Sequence, residues 1–253
     1  MRTCGHADVR SYVSAELRRA VWQRAIEDLR TCASGAGVPC ATVKPDARVL
    51  TIVNLKGGSA KTTSAAFLAH ALHERGRRVL LVDADPQGSA LRWHGLAGWP
   101  VPVMGLASTA LHRQLWGVVD PGRWDTLVID TPPLEERDGI VSSALRVATD
   151  VLVPMAPTMM ELDRIGPVFK ALEDTVGRRD EDPSVAVVLT RTVAHAASTE
   201  TVREILEGQG RRVLYTNVPR LERYAQAFGA QIPKSDVPYG CVAEELLTDW
   251  SSR

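Results

Sequence analysis

The residues best suited to chemistry begin with a lysine that follows two glycines. Residues 49–63 read VLTIVNLKGGSAKTT, an apolar run that leads into Gly57 and Gly58 and then into Lys61 and Thr62. Glycines let backbone N–H groups close on phosphate oxygens, and a helix that starts there directs the positive end of its dipole at them. We therefore predict a nucleotide phosphate site in which Lys61 reaches the β- and γ-phosphates and the Thr62 hydroxyl ligates Mg²⁺.

Carboxylates end two further apolar runs. Residues 77–90 read RRVLLVDADPQGSA, which places Asp83 and Asp85 at the end of a strand, and Asp130 ends the run in WDTLVIDTPP (residues 124–133). Successive strands of a βαβ unit open at the same edge of the sheet, where ligands bind in open α/β folds. A buried strand that terminates in one carboxylate has the Walker B geometry, in which Asp130 holds Mg²⁺ through water.

The loop departs from the ordinary phosphate-loop pattern G-x-x-x-x-G-K-[ST], because Leu55 and Ala60 stand at its two glycine positions. The remaining pattern, K-G-G-x-x-K-[ST]-[ST], resembles the deviant Walker A loop of the ParA/MinD family of partition and positioning ATPases. That resemblance implies that the additional lysine, Lys56, reaches the nucleotide across a dimer interface. We expect Ala60 to fit the loop with a negative φ, as a residue next to a helix. The predicted loop contacts are Lys56, Gly57, Gly58, Ser59, Ala60, Lys61, Thr62 and Thr63.

The resemblance extends to other stretches. VDADPQGS resembles the switch I segment of the family, which implies that Asp85 positions the attacking water and that Asp83 is an outer partner of the Mg²⁺ site. DTPP, which begins at Asp130, resembles switch II, which senses the γ-phosphate. VVLTRT and TNVPRLERYAQAFG resemble the segments that flank the adenine base, which implies contacts from Arg191, Val218 and Pro219.

Apolar runs and helical stretches alternate along most of the chain. The patterns predict helices over residues 63–75, 139–148, 161–176, 199–207 and 242–250, a short one over 109–116, and strands over 151–155, 185–190 and 212–215, in addition to the three strands above. Such alternation predicts an α/β fold, a doubly wound, mostly parallel sheet with helices on both faces. The resemblance identifies it as a P-loop NTPase of the deviant Walker A type.

The chain divides into two predicted parts. Residues 48–253 form the predicted ATPase domain, and residues 1–47 form an extension with an amphipathic helix over 13–29 and a linker rich in Gly and Pro. Residues 1–48 are mildly basic, so this helix fits a surface of the main domain, a second subunit or DNA. Residues 91–124 give no chemical prediction.

Composition favours a reduced, cytoplasmic protein. Thirty basic residues balance thirty acidic ones, and the four cysteines lack a C-x-x-C pair or metal-ligand spacing. With no net positive charge, DNA contact requires a local patch. Five arginines late in the chain form such a candidate: Arg203, Arg211, Arg212, Arg220 and Arg223. Five arginines on solvated helices are equally an ordinary surface.

The resemblance implies an ATPase that uses ATP and Mg²⁺, forms a homodimer with ATP, and binds DNA non-specifically through Arg203, Arg220 and Arg223 on the nucleoid. A partner resembling ParB would stimulate hydrolysis during plasmid or chromosome segregation. The alternative is a MinD-like positioning ATPase that acts on a membrane surface or a protein cargo. The residues that end the chain do not resemble a basic membrane anchor, and a metabolic ligase or reductase on the same scaffold lacks supporting motifs.

Overall fold

The computed structural model describes residues 47–120, 122–176 and 182–253. The predicted helix over residues 13–29 and the predicted linker, residues 33–46, lie outside these residues. Seven strands form one sheet in the order β3-β2-β4-β1-β5-β6-β7, and every named pair of strands is parallel. The predicted α/β architecture is therefore confirmed.

The strands are β1 (Arg48–Ile52), β2 (Val79–Asp83), β3 (Val103–Gly105), β4 (Thr126–Asp130), β5 (Asp150–Met155), β6 (Ser184–Thr192) and β7 (Val218–Pro219). The helices are α1 (Lys61–Glu74), α2 (Ser89–Ala97), α3 (Leu111–Val118), α4 (Asp138–Leu145), α5 (Met159–Arg164), α6 (Gly166–Val176), α7 (Ala197–Gly208), α8 (Glu222–Ala225) and α9 (Val237–Ser251). Strand β1 lies between β4 and β5, near the middle of the sheet.

The sheet is covered on both faces because side chains alternate along each strand. Leu50 and Ile52 of β1 belong to a core cluster with α1, α2 and α9. Val49 belongs to a cluster with α3 and α4, and Val53, which follows β1, to one with α4, α6 and α7. Both layers therefore pack on the central strand, which fixes the direction of the loop that follows it.

Helix α1 forms where an Ala- and Leu-rich run follows the loop, and most of its residues are buried. Gly76, just after the helix, has φ 83°, the left-handed conformation that often ends a helix. Among the described residues, no helix combines the length and the apolar character that a membrane span requires.

Two predicted elements differ from the structure. The helix predicted over residues 161–176 is two helices, α5 and α6, which are separated by Ile165. Pro167 lies in the first turn of α6, where its missing N–H leaves no helical hydrogen bond unmade. The strand predicted over residues 212–215 is only a single bridge between Val187 and Val213. The backbone N–H groups of Tyr215 and Thr216 donate instead to the Glu245 carboxylate, at 2.8 and 2.7 Å, which diverts them from the sheet.

Residues 91–124, which gave no chemical prediction, contain most of α2, the edge strand β3 and helix α3. Helix α3 covers most of the short helix predicted over residues 109–116. The edge strand has only three residues, which is too short for an alternating pattern to indicate a strand.

Candidate nucleotide and phosphate site

The phosphate loop joins β1 to α1, and its lysine points back into the loop. Lys61 is 6% exposed. Its Nζ donates to the Lys56 carbonyl at 2.8 Å and lies 3.4 Å from Ser59 Oγ, which itself donates to the same carbonyl at 3.0 Å. The ammonium group therefore lies within the curve of the loop, where phosphate oxygens would meet both it and the first N–H groups of α1.

The expectation of a negative φ at Ala60 is wrong. Ala60 has φ 67° and ψ 21°, the left-handed conformation, as does Gly58 with φ 71°. A side chain in this region costs roughly 1–2 kcal/mol. The cost is tolerated because hydrogen bonds fix both sides of the residue: Ser64 N donates to the Ala60 carbonyl at 2.8 Å, and Lys61 is tied to Lys56.

Asp83 and Asp130 lie side by side at the carboxyl ends of β2 and β4, where their Cα atoms are partners in the parallel register. Asp83 is buried, and its two oxygens accept backbone N–H groups from Asp85 at 3.2 Å and Leu91 at 2.9 Å. Burial raises the pKa of Asp83 although these bonds lower it. The Asp83 carboxylate thus holds the turn between β2 and α2.

Asp85 follows β2 and is only partly buried. Its Oδ1 accepts the backbone N–H of Gln87 at 2.9 Å, which fixes the side chain in a turn. The structure thus brings Asp85 to the same sheet edge as Asp83 and Asp130.

Asp130 is completely buried, and within the described residues neither of its oxygens has a hydrogen-bond partner. Burial raises its pKa to about 7, Asp83 adds to the rise, and Thr62 and Lys61 oppose it. Thr62 faces the carboxylate without reaching hydrogen-bonding geometry. A buried carboxylate beside a hydroxyl, with free lone pairs, fits a hydrated divalent cation, which would keep the carboxylate ionised.

The oxygen atoms of Thr62 and Asp130 are donors of the kind that Mg²⁺ prefers. Mg²⁺ is usually bound by one or two protein oxygens, several waters and substrate phosphates. Thr62 and Asp130 are the groups that would hold it, with Asp83 behind them.

Lys61 has a lowered pKa because burial disfavours its charged form. Asp130, Asp85, Glu136 and Glu161 act in the opposite direction. The lysine therefore lies among acids, and an additional anion such as a phosphate would stabilise its charge further.

A cavity of about 800 Å³ opens on one side of the phosphate loop. Its walls combine Gly58, Ala60 and Thr63 of the loop and α1 with residues of α5, β6, β7, α8 and α9 and of the segment after β5. The structure brings Arg191, Val218 and Pro219, the three predicted base contacts, into the same cavity. The volume lies within the range of small-molecule sites, which is roughly 300–1,000 Å³.

Arg191 connects the cavity to the loop. Its Nη1 donates to the Gly58 carbonyl at 3.0 Å, and its backbone has φ 55° at an irregularity between the Thr190 and Thr192 pairings of β6 with β7. The arginine therefore acts on the loop in this conformation, whereas the resemblance implied a contact with the base. Among the residues that sequence reasoning missed are Thr158, Glu161, Tyr224 and Tyr239, which also line the cavity. No local motif marks them, since they reach the cavity from three separate helices, with Thr158 at the N-cap of α5.

Lys56 leaves the loop in the opposite direction. Its side chain is 42% exposed, and its Nζ lies 3.6 Å from Glu135 Oε2 in the segment after β4. The ion pair is exposed and therefore worth at most about 1 kcal/mol. Lys56 remains accessible to a second molecule.

The candidate DNA arginines do not form a free patch. Arg203 is 11% exposed, and its guanidinium donates to Asn217 Oδ1 at 2.8 Å and lies 3.7 Å from Glu207. Arg223 lies 3.1 Å from Asp236. Two other arginines of the group are also paired, Arg211 with Glu173 and Arg212 with Asp249.

Arg220 differs from these four. It is exposed, and no ion pair of its side chain occurs within the part of the chain that the structure describes. Its backbone N–H donates to the Thr192 carbonyl at 2.9 Å, which fixes it beside the large cavity.

Residues 50–233 match the family model of the CobQ/CobB/MinD/ParA nucleotide binding domain. The chain belongs to this family. It is 31% identical over 222 residues to "Maintenance of carboxysome distribution protein A" of Gloeobacter kilaueensis, with 80% of this chain and 95% of that protein covered. It is 30% identical to "Chromosome-partitioning ATPase Soj" of Thermus thermophilus, with 73% and 87% covered.

A solved structure supports the assignment of this nucleotide-binding family member. Cobyrinic acid a,c-diamide synthase from Mycobacterium smegmatis, with a bound ATP analogue and magnesium, has a TM-score of 0.64 and 25% identity, and 81% of this chain and 96% of that chain are covered. The predicted family resemblance is confirmed, and partition or positioning ATPases are among its relatives.

Proposed function

We propose that this family member is a partition or positioning ATPase that binds ATP with Mg²⁺ and dimerises in that state. The observation that carries the proposal is Asp130, a fully buried carboxylate with no hydrogen-bond partner in the described part of the chain, beside Thr62 and Lys61. Leaving such a group unpaired is costly unless a cation compensates it. The structure of the diamide synthase with an ATP analogue and magnesium supports this choice of ligands.

Each loop residue then has a defined task. Lys61 contacts the β- and γ-phosphates, residues 57–63 supply N–H groups and the Thr62 hydroxyl, and the base occupies the 800 Å³ cavity beside Val218 and Pro219. Asp85 positions the attacking water. Bound Mg²⁺ would neutralise charge that develops on the phosphates.

Lys56 is the residue proposed to act across the dimer. Its exposed ammonium group is held only by the weak pair with Glu135, so a second nucleotide-bound subunit can replace that pair at small cost. The ATP-bound dimer would then bind cargo, and hydrolysis stimulated by a partner protein, ParB-like for a DNA cargo, would reset it. We assign this ATPase unit to residues 48–253 and treat residues 1–47 as an extension.

We propose that the ATP-bound dimer binds DNA of the nucleoid without sequence preference. Arg220 would be the main contact with this DNA and Arg223 a secondary one. Arg203 is omitted, because its guanidinium is almost fully buried among internal partners. Plasmid or chromosomal DNA is the first candidate cargo, supported by the similarity to Soj.

A protein assembly is the second candidate cargo, and the similarity to carboxysome distribution proteins favours it. A membrane surface is less favoured, because the large apolar side chains of α9, such as Tyr239, Leu246 and Trp250, are buried in the core.

The proposal is tested by measuring molecular mass and DNA binding together. Light scattering on the purified chain is expected to show a dimer with Mg²⁺-ATP and a monomer with ADP. Fluorescence anisotropy is expected to show binding to a labelled DNA duplex only when ATP is present. A monomer that binds no nucleotide would refute the proposal. A dimer that forms with ATP but does not bind the duplex would support the ATPase proposal and remove DNA as the surface on which the dimer acts.

A further inference from the structure

A second cavity lies on the other side of the phosphate loop. Its volume is about 310 Å³, and its walls come from Gly57, from residues 85–87 after β2 and from four residues after β4, namely Pro132, Pro133, Glu136 and Arg137. The large cavity touches the loop at Gly58 and Ala60. A triphosphate whose base lies in the large cavity, as proposed above, therefore extends along the loop toward the small one.

The small cavity is where a terminal phosphate and an attacking water would meet. Asp85, the proposed water-positioning residue, is part of its wall, together with Glu136 and Gly57 of the phosphate loop. The charges that line this space therefore act directly on the reacting phosphoryl group.

The segment after β4 is held firmly against the loop. Leu134 N donates to the Asn54 carbonyl at 3.2 Å, and Glu135 N donates to the Leu55 carbonyl at 3.1 Å. A Cβ on Gly57 would lie 3.9 Å from Pro133 Cγ, so the loop and this proline are in close contact. Any side chain carried by the next turn is thus positioned relative to the phosphates.

Arg137 is on that turn, and its backbone is fixed on both sides. Its N–H donates to the Pro133 carbonyl at 3.0 Å, and its own carbonyl accepts from Ile140 and Val141 at 3.1 and 3.2 Å, at the start of α4. The side chain is exposed, and in the described part of the chain its guanidinium has neither an ion pair nor a hydrogen bond. It is also the one cation among the described residues that line the small cavity.

We propose that Arg137 is a catalytic residue for ATP hydrolysis, with its guanidinium donating to oxygens of the transferring γ-phosphoryl group. Water attacks the γ-phosphorus, the bond from that phosphorus to the β,γ-bridging oxygen breaks, and ADP departs with the electron pair. The proton of the water passes to the phosphate or to solvent, while Arg137 stays protonated. A guanidinium suits this role because its planar donors match the charge on the equatorial oxygens.

This inference rests on the proposed ATPase function and adds a cation of the same chain to it. Lys56 comes from the partner in the proposed dimer, and its side chain pairs with Glu135 here. Arg137, two residues after Glu135, has no ion pair in the described part of the chain and lines the small cavity of its own subunit. The two cations therefore contribute at different points, one to dimer formation and one to the chemical step.

The test compares Arg137→Ala and Arg137→Lys with Arg113→Ala, an exposed arginine on α3 outside both cavity walls. For Arg137→Ala, we expect kcat to fall about 10- to 100-fold while the Kd for Mg²⁺-ATP changes less than about threefold. Arg137→Lys is expected to recover part of the loss, and Arg113→Ala to match the parent protein. ATP-dependent dimerisation should persist in all three variants.

A second readout does not depend on turnover. ADP with aluminium fluoride and Mg²⁺ imitates the transferring phosphoryl group, and calorimetry on Arg137→Ala is expected to show about tenfold weaker binding of that complex with unchanged binding of ADP alone. Equal affinity of the parent and the variant for the aluminium fluoride complex would overturn the inference, as would an unchanged kcat. A parent protein that fails to bind ATP at all would instead remove the proposed function.

Discussion

The phosphate loop and the late arginines are both groups of charged residues, but the fold treats them differently. Lys61, Asp83 and Asp130 come from distant parts of the chain and converge at one edge of the sheet, and Asp130 is left without a hydrogen-bond partner in the described residues. The arginines are near one another in sequence, yet most of them pair with acids of neighbouring elements.

The difference shows how well each kind of pattern predicts a site. A carboxylate at the end of a buried strand can only emerge at the carboxyl edge of a parallel sheet, so its location follows from the topology. An arginine on a surface helix has a long side chain and many possible partners, so its neighbours in space decide whether it is free. Four predictions test this contrast, beginning with the largest expected effect.

The largest effect is expected at the phosphate loop. Lys61→Ala would remove the charge-assisted contact that we propose with the phosphates, so the affinity for ATP should fall about 100-fold or more. Calorimetry with Mg²⁺-ATP measures this, and circular dichroism confirms that the variant is folded. Full ATP affinity in the variant would refute the assignment of the loop.

Asp85→Ala separates binding from hydrolysis. If the carboxylate positions water, kcat should fall about 100-fold while the affinity for ATP is retained. Light scattering should then detect a long-lived ATP-bound dimer. A variant that hydrolyses ATP at the parent rate would remove Asp85 from the mechanism.

Asp130 should make stability depend on pH. Its pKa in the fold is about 7, well above the ordinary value for aspartate, because burial penalises the charged form. As pH rises from about 4 to 7, the unfolded chain loses this proton before the folded chain does, so the free energy of unfolding falls and then levels off above pH 7. Asp130→Asn cannot ionise and so avoids this fall in the free energy of unfolding. At pH 8 without Mg²⁺ the variant should be more stable than the parent by roughly 2–4 kcal/mol.

Denaturant unfolding at pH 5 and pH 8 measures that difference. The same variant should lose the Mg²⁺-dependent part of ATP binding, and in the parent that part should weaken below pH 7 as the carboxylate becomes protonated. Asp125→Asn is a useful control, since hydrogen bonds and Arg77 lower its pKa and make its contribution opposite in sign. Identical pH profiles for the parent and Asp130→Asn would contradict the prediction.

The smallest effects are expected at the arginines, where a free side chain can be compared directly with paired ones. Arg220→Glu should weaken ATP-dependent DNA binding more than Arg223→Glu does, because Asp236 already compensates Arg223. For each DNA phosphate that a variant no longer neutralises, the slope of log affinity against log salt should become shallower by about 0.9. Anisotropy with a labelled duplex over a salt series measures both the affinity and the slope.

A third change, Arg203→Ala, should reduce the stability of the fold, because the hydrogen bond to Asn217 and the ion pair with Glu207 are lost. It should leave the salt dependence of DNA affinity unchanged. If DNA binding survives Arg220→Glu together with Arg223→Glu but disappears when residues 1–47 are deleted, the extension is the DNA element. That outcome would place the proposed DNA contact outside the ATPase unit.

The sequence correctly predicted the three strands that lead to the site, β1, β2 and β4, because each is largely apolar and is followed by or ends in a polar residue. It failed at Ala60, whose left-handed backbone is stabilised by hydrogen bonds from Lys61 and Ser64, and it gave no strand for β3, whose three residues are too few for a pattern. The cavity residues Glu161 and Tyr239 were missed because only the folded sheet brings their elements together. Local patterns cannot encode contacts that span more than a hundred residues.

The central position of β1 connects nucleotide binding to the stability of the whole sheet. Strand β1 joins β4 to β5, so the strand that leads into the phosphate loop pairs with segments about 80 to 100 residues away in sequence. Such non-local pairing folds slowly and opens cooperatively. A nucleotide at 100 times its dissociation constant would add about 2.7 kcal/mol to the folded state alone. Bound nucleotide would thus reduce how often the sheet opens to proteases.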